Sequence, residues 1–232
     1  MFPISILRRR VAGAALLVVS GVAGAFSLSD LSNQDATGGL KAALEQGAKV
    51  AVGKLGQPNG FLNNDKVKIR LPGALEQAMP LIRMTGQGQQ VDQLVIDMNH
   101  AAESAVPQAL PLLVNAVKSM SVTDAKNILA GGETSVTEFF RQKTAGELAG
   151  KFGPIVKGVT DRNGLSARYN ATMGQVARTG LISGDQASVE GYVTQRALDG
   201  LYLMIGEQEK AIRRDPMGSG SAIIGKVFGA LR

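Results

Sequence analysis

The chain has no cysteine and no tryptophan, one histidine, and only 4% aromatic residues among 232. Without cysteine there is no disulfide, no thiolate nucleophile, no Cys-based zinc site and no lipobox for an N-terminal lipid anchor. Lacking tryptophan, the chain is poorly equipped for the aromatic platforms that stack nucleic-acid bases or sugar rings. A lone histidine, His100, restricts serine-type hydrolysis to one candidate base, and no G-x-S-x-G elbow accompanies it. Stability in such a chain rests on apolar packing, which a globular chain of this length sustains unaided.

What is present first is an N-terminal pattern. Arg8-Arg9-Arg10 precede an apolar run from Val11 to Val22, followed by Ala23-Gly24-Ala25 and the polar Ser27-Leu28-Ser29-Asp30. This predicts a signal peptide over residues 1–25, cut between Ala25 and Phe26, in a bacterial periplasmic or secreted protein. The run is about a dozen residues, short of the roughly 20 that a spanning helix needs. The paired arginines leave the twin-arginine export route open. Three of the 25 basic residues and none of the 19 acidic ones lie in this leader, which leaves 22 against 19, a net +3, for the remainder. The two signs alternate along the chain, as on a solvated helical surface and unlike a nucleic-acid footprint.

From Phe26 onward the periodicity predicts one all-α domain of nine or ten helices over residues 26–232, opened by a polar entry segment, 26–36. Helices are expected over Ala36–Leu55, from Pro72 with Leu75, Met79 and Ile82 on one face and Pro80 kinking or shortening it, and across Val91, Leu94, Val95, Met98, Ala102 and Ala105. Pro107 restarts the chain, and Ser121-Val122-Thr123-Asp124 reads as a capping box. Helix-start patterns at Ser135 and Thr144 predict two short helices. Asn163-Gly164 precedes another helix with Leu165, Tyr169, Met173 and Val176, and Gly180 to Gly184 form a loop. The longest helix runs from Ser188 to Arg214 and the last from Ser221 to Leu231. Glycines 146, 150, 153, 158, 191, 200 and 206 inside helical stretches imply close helix approach. The one strand-like signature is Phe61–Leu71, where Val67, Ile69 and Leu71 alternate with Lys66, Lys68 and Arg70; it predicts a short extended segment near residues 66–71.

Two motifs touch chemistry. Asp97, His100 and Glu103 stand at i, i+3 and i+6 on one helix, the spacing by which helical bundles gather metal ligands. No second such motif exists, and further ligands could only be carboxylates, a poor zinc set, so a polar helix face is the plainer reading. Gly220-Ser221-Ala222-Ile223-Ile224-Gly225-Lys226 has the G-x-x-x-x-G-K spacing of a phosphate loop, yet Val227 replaces the magnesium-binding hydroxyl and no buried strand precedes it. Neither motif names a catalytic residue or a cofactor.

At the scale of whole segments the chain resembles a bacterial family of exported helical proteins, domain of unknown function 4197. The resemblance is carried by Phe26–Leu31, Gly60-Phe61-Leu62-Asn63-Asn64 with Val67-Lys68-Ile69, Tyr192–Leu201, and Asp215-Pro216 with Gly218, Gly220, Ser221 and Ala222. It implies a helical fold and export, with no catalytic residues to carry over. The leading functional expectation is a non-enzymatic binding or interaction module of the cell envelope, whose partner is an unidentified envelope protein. One alternative is a carrier of a small apolar ligand in a helical cavity, suited to a methionine-rich interior. Another is a hydrolase or metal enzyme using the face of Asp97, His100 and Glu103.

Overall fold

The computed structural model describes residues 33–229 apart from 85, 87, 133, 163–165, 168 and 171–187. The leader 1–25 with its Ala25/Phe26 cut, most of the entry segment, and the expected loop 180–184 lie outside the described residues. Within them there are eight α-helices, two 3-10 turns and no strand. The helices are α1 (Asn33–Leu55), α2 (Gly73–Met84), α3 (Gly88–Ala105), α4 (Leu110–Lys118), α5 (Val122–Ala130), α6 (Ser135–Thr160), α7 (Val189–Arg214) and α8 (Ala222–Gly229).

The described residues thus fall short of nine or ten helices, and one cause is visible in α6. The start pattern at Thr144 is overridden because Phe140, Thr144, Leu148, Phe152, Val156 and Thr160 form an unbroken i+4 stripe, all buried. Inside that stripe the Thr144 hydroxyl donates to the Phe140 carbonyl at 2.6 Å and lies 2.9 Å from the Tyr202 hydroxyl. A single continuous ridge buries this surface better than two short helices would. Pro80 likewise does not end α2, which runs through it to Met84, with Pro80 exposed. At the other end α1 starts at Asn33, three residues before the expected Ala36. Local signals hold elsewhere: Ser121 and Asp124 form a reciprocal capping box on α5, and Ser188 Oγ accepts from the Gly191 N–H to open α7.

α7 is the hub, packing on α6, α1 and α3, while α8 lies along α1. Leu40, Leu44, Leu55, Phe61, Met98, Phe140, Phe152, Leu201, Tyr202 and Phe228 are among the residues filling the core between them. Arg213 ties three helices together: it pairs with the buried Glu209, donates to the Ile128 carbonyl at 3.2 Å, and lies over the Phe228 ring.

The glycines divide into two kinds. On α6, positions 146, 150, 153 and 158 face open space, so they do not mediate close approach as expected, whereas Gly200 and Gly206 on α7 do. Tightest among the α-helical positions is Gly39, where a Cβ would stand 2.3 Å from Val227 Cγ2 on α8. Gly39→Ala is therefore expected to cost about 1–2 kcal/mol, overpacking outweighing the gain in helix propensity. Gly53→Ala on the same helix, with nothing within 4 Å of its added Cβ, should stabilise by about 0.5–1 kcal/mol. Urea midpoints of the two variants should move in opposite directions.

Two of the three tyrosines titrate high. Burial pushes Tyr169 up to about 12, with Tyr192 and Glu190 adding to it, and burial also raises Tyr202 despite its hydrogen bond to Thr144. A phenol with a raised folded pKa contributes stability below its unfolded value near 10, and that contribution fades as pH climbs from there toward 12. Denaturant midpoints should fall over that window while the 295 nm phenolate absorbance of the folded protein lags behind that of the unfolded chain.

Candidate functional site

The site begins where α1 ends. Gln57-Pro58-Asn59-Gly60 turns the chain, with Asn59 in the left-handed region at φ 63°. Gly60 is required there, since a Cβ would come 2.4 Å from the Lys54 carbonyl oxygen and 2.6 Å from that of Leu55. Backbone N–H groups turned inward by this bend need acceptors, and Glu103 of α3 supplies them. Its Oε2 accepts from Asn59 N–H at 3.0 Å, while Oε1 accepts from Phe61 N–H at 3.0 Å and Leu62 N–H at 3.1 Å. The carboxylate is buried, so these are charge-assisted bonds shielded from water.

The segment expected to be extended over 66–71 begins instead in a turn at 65–67, with the Val67 and Lys68 N–H groups donating to the Asn64 carbonyl at 3.0 and 2.8 Å, and one turn earlier on α3 Asn99 serves the residues that follow it. Its side chain, fully buried, accepts from Ile69 N–H at 2.9 Å and donates to the Ile69 carbonyl at 2.9 Å and the Val95 carbonyl at 2.7 Å. The Lys66–Leu71 alternation thus finds an amide side chain where a strand would have been the usual partner. Val67, Ile69 and Leu71 are buried, leaving Lys66, Lys68 and Arg70 on the outward face.

From the other side α7 completes the arrangement. Gly200 admits the segment closely, a Cβ there meeting Phe61 Cε1 at 2.9 Å and Val67 Cβ at 3.2 Å. Tyr192 donates its hydroxyl to the Arg70 carbonyl at 3.0 Å. Between segment and helix runs a groove of about 290 Å³, lined by residues 66–70 with Tyr192, Arg196, Asp199, Gly200 and Leu203. Its charge is predominantly positive. Lys66 pairs with Glu207 at 2.6 Å, and Arg196 lies over the Tyr192 ring with Asp199 at 3.8 Å, while Lys68 and Arg70 make no ion pair among the described residues. Leu203, 42% exposed, adds an apolar edge.

The Asp97, His100 and Glu103 face is split by this design. Glu103 points inward and is committed to the turn. His100 is half exposed, 4.0 Å from Glu103 Oε2 and 3.4 Å from Asn59 Oδ1, and Asp97 accepts from Gln93 at 2.9 Å. Among the described residues no group of three or more His, Cys, Asp or Glu side chains is placed to hold a metal ion. The Gly220–Lys226 motif leads into α8: Gly220 caps a 3-10 turn at φ 70°, Lys226 pairs with Asp35 at 3.2 Å, and Val227 packs on Gly39. Three further clefts of about 270–350 Å³ lie beside α5 and α6, beside Glu209 and Arg213, and between α1 and the end of α7; like the groove, each is open to solvent rather than an enclosed apolar chamber.

Sequence reasoning missed Asn99 and the inward role of Glu103. Tyr192, Arg196 and Asp199 stood in the segment that carries the family resemblance, without a role, and Gly200 stood there only as a close-approach glycine. No helix among the described residues is long and apolar enough to cross a membrane.

Comparison with curated proteins and with solved structures gives no match. A family model matches residues 30–229, a span that holds every described helix, and on that match the chain belongs to the DUF4197 family, described as a protein of unknown function.

Proposed function

We propose that the protein is a non-enzymatic binding module of the bacterial cell envelope that holds an anionic partner in the groove between residues 66–70 and α7. The observation that carries this reading is a pair of cations, Lys68 and Arg70, without an ion pair among the described residues, on a segment immobilised by Asn99, Tyr192 and, through the adjoining turn, Glu103. Fixed cations beside a cleft attract a counter-charged ligand with little ordering cost. The reading includes removal of residues 1–25 on export, which the basic, apolar and small-residue pattern supports.

Hexaglutamate at low salt tests the groove. Amide shifts should concentrate at residues 66–70 and 192–203, and Lys68→Glu/Arg70→Glu should weaken binding by about tenfold or more. Lys126→Glu/Lys151→Glu, an equal change in net charge elsewhere, should leave it nearly unchanged; equal weakening by both pairs would reduce the effect to general electrostatics and sink the site. Fractionation of cells expressing the full chain tests the location, and an uncleaved cytosolic protein would remove the envelope part.

A further inference from the structure

The groove carries more than charge. No peptide bond among the described residues is cis, and in a trans peptide unit the C=O and the following N–H point in opposite directions. Ile69 directs its N–H to Asn99 Oδ1 and its C=O to Asn99 Nδ2. The two peptide units that flank Ile69 must therefore turn the Lys68 C=O and the Arg70 N–H away from α3. No α3 residue lines the groove, and neither group takes a hydrogen bond among the described residues. One donor and one acceptor, held in fixed register on an accessible edge, are what a parallel β-strand would engage through a single residue.

Resting on the groove reading above, we propose that the partner is an acidic peptide segment in extended conformation, which adds alongside residues 68–70. One peptide residue donates its N–H to the Lys68 C=O and accepts from the Arg70 N–H. Its side chain then lies on the Ile69 side, where Leu203 also lines the groove, and its two sequence neighbours lie on the Lys68 and Arg70 side. Side chains two apart on a strand are about 6.6–6.8 Å from each other, so carboxylates at alternate positions fall beside Lys68 and Arg70. A peptide is favoured over an anionic lipid because a headgroup would use the cations but leave the backbone donor and acceptor unanswered.

The probe is acetyl-Glu-Thr-Glu-Thr-Glu-Thr-amide, titrated onto the protein by calorimetry. N-methylation of the threonines removes the N–H groups that face the protein and should weaken binding by about fivefold or more, while N-methylation of the glutamates, whose N–H groups face outward, should change it little. Lys68→Glu/Arg70→Glu should weaken it by about tenfold or more with an unchanged thermal midpoint, since both side chains reach solvent. If the two methylated peptides bind alike, strand addition is wrong although the cationic groove stands. Should vesicles containing phosphatidylglycerol bind at this groove while the peptide fails to displace them, the lipid occupant replaces the peptide. Failure of hexaglutamate as well as the peptide would remove the groove reading itself.

Discussion

Glu103→Ala should lower folding stability by about 4 kcal/mol, the largest effect of any single substitution in this protein, although the residue does not line the groove. The variant strips one buried carboxylate from three backbone donors, those of Asn59, Phe61 and Leu62. Bonds to a charged acceptor contribute about 1.5–3 kcal/mol each, and three sharing one acceptor sum to less than three times that. The cost lies mainly in the orphaned N–H groups, above all that of Phe61, which is fully buried. Glu103→Gln should fall between, at about 2 kcal/mol, because the amide oxygen still accepts from Phe61 and Leu62 while its NH2 opposes the Asn59 N–H. His100→Ala, half exposed on the same helix, should cost under about 0.5 kcal/mol. Urea unfolding gives the ranking, and native-state exchange of the Phe61 and Leu62 amides gives the mechanism. If those amides stay as protected in Glu103→Ala as in the wild type, the carboxylate is not what holds the turn.

The residues at this turn also show how far a sequence can be read. The α3 stripe Val91, Leu94, Val95, Met98, Ala102 and Ala105 is legible because helical periodicity is local, and all are buried except Val95, which is half-buried. Asp97, His100 and Glu103 are legible as neighbours for the same reason. Which of them turns inward is not, since it depends on N–H groups about forty residues earlier whose direction is set by the left-handed Asn59. Lys66 to Leu71 announces its alternation plainly, but nothing in that pattern says that an asparagine on a helix will take the place of a second strand. Thr144 teaches the converse: a helix-start pattern is a weak local preference, and a six-residue i+4 stripe of buried side chains overrides it. Glycine carries two meanings that composition cannot separate, close approach at Gly39 and Gly200, open surface at Gly146 and Gly150.

Asn99→Asp should cost about 3 kcal/mol and abolish binding at the groove together with it. The aspartate still accepts from the Ile69 N–H, but it has no donor for the Ile69 and Val95 carbonyls, now 2.9 and 2.7 Å from an anionic oxygen in a fully buried position. Like poles at that range, unscreened by water, make the substitution worse than the loss of two ordinary hydrogen bonds. Asn99→Leu separates the two consequences: it matches the shape, leaves the Ile69 N–H and C=O unmet, and should cost about 2 kcal/mol without the repulsion. In either variant the peptide units flanking Ile69 lose the anchor that fixes their direction, so the Lys68 C=O and Arg70 N–H no longer stand in register. Chemical denaturation ranks the stabilities, and calorimetry at a temperature where both variants remain folded measures the peptide. A folded Asn99→Leu that binds the threonine–glutamate peptide as tightly as the wild type would mean that the Ile69 clamp positions nothing the partner uses. Loss of binding out of proportion to the loss of stability ties the buried amide on α3 to the cationic edge on the far side of the segment.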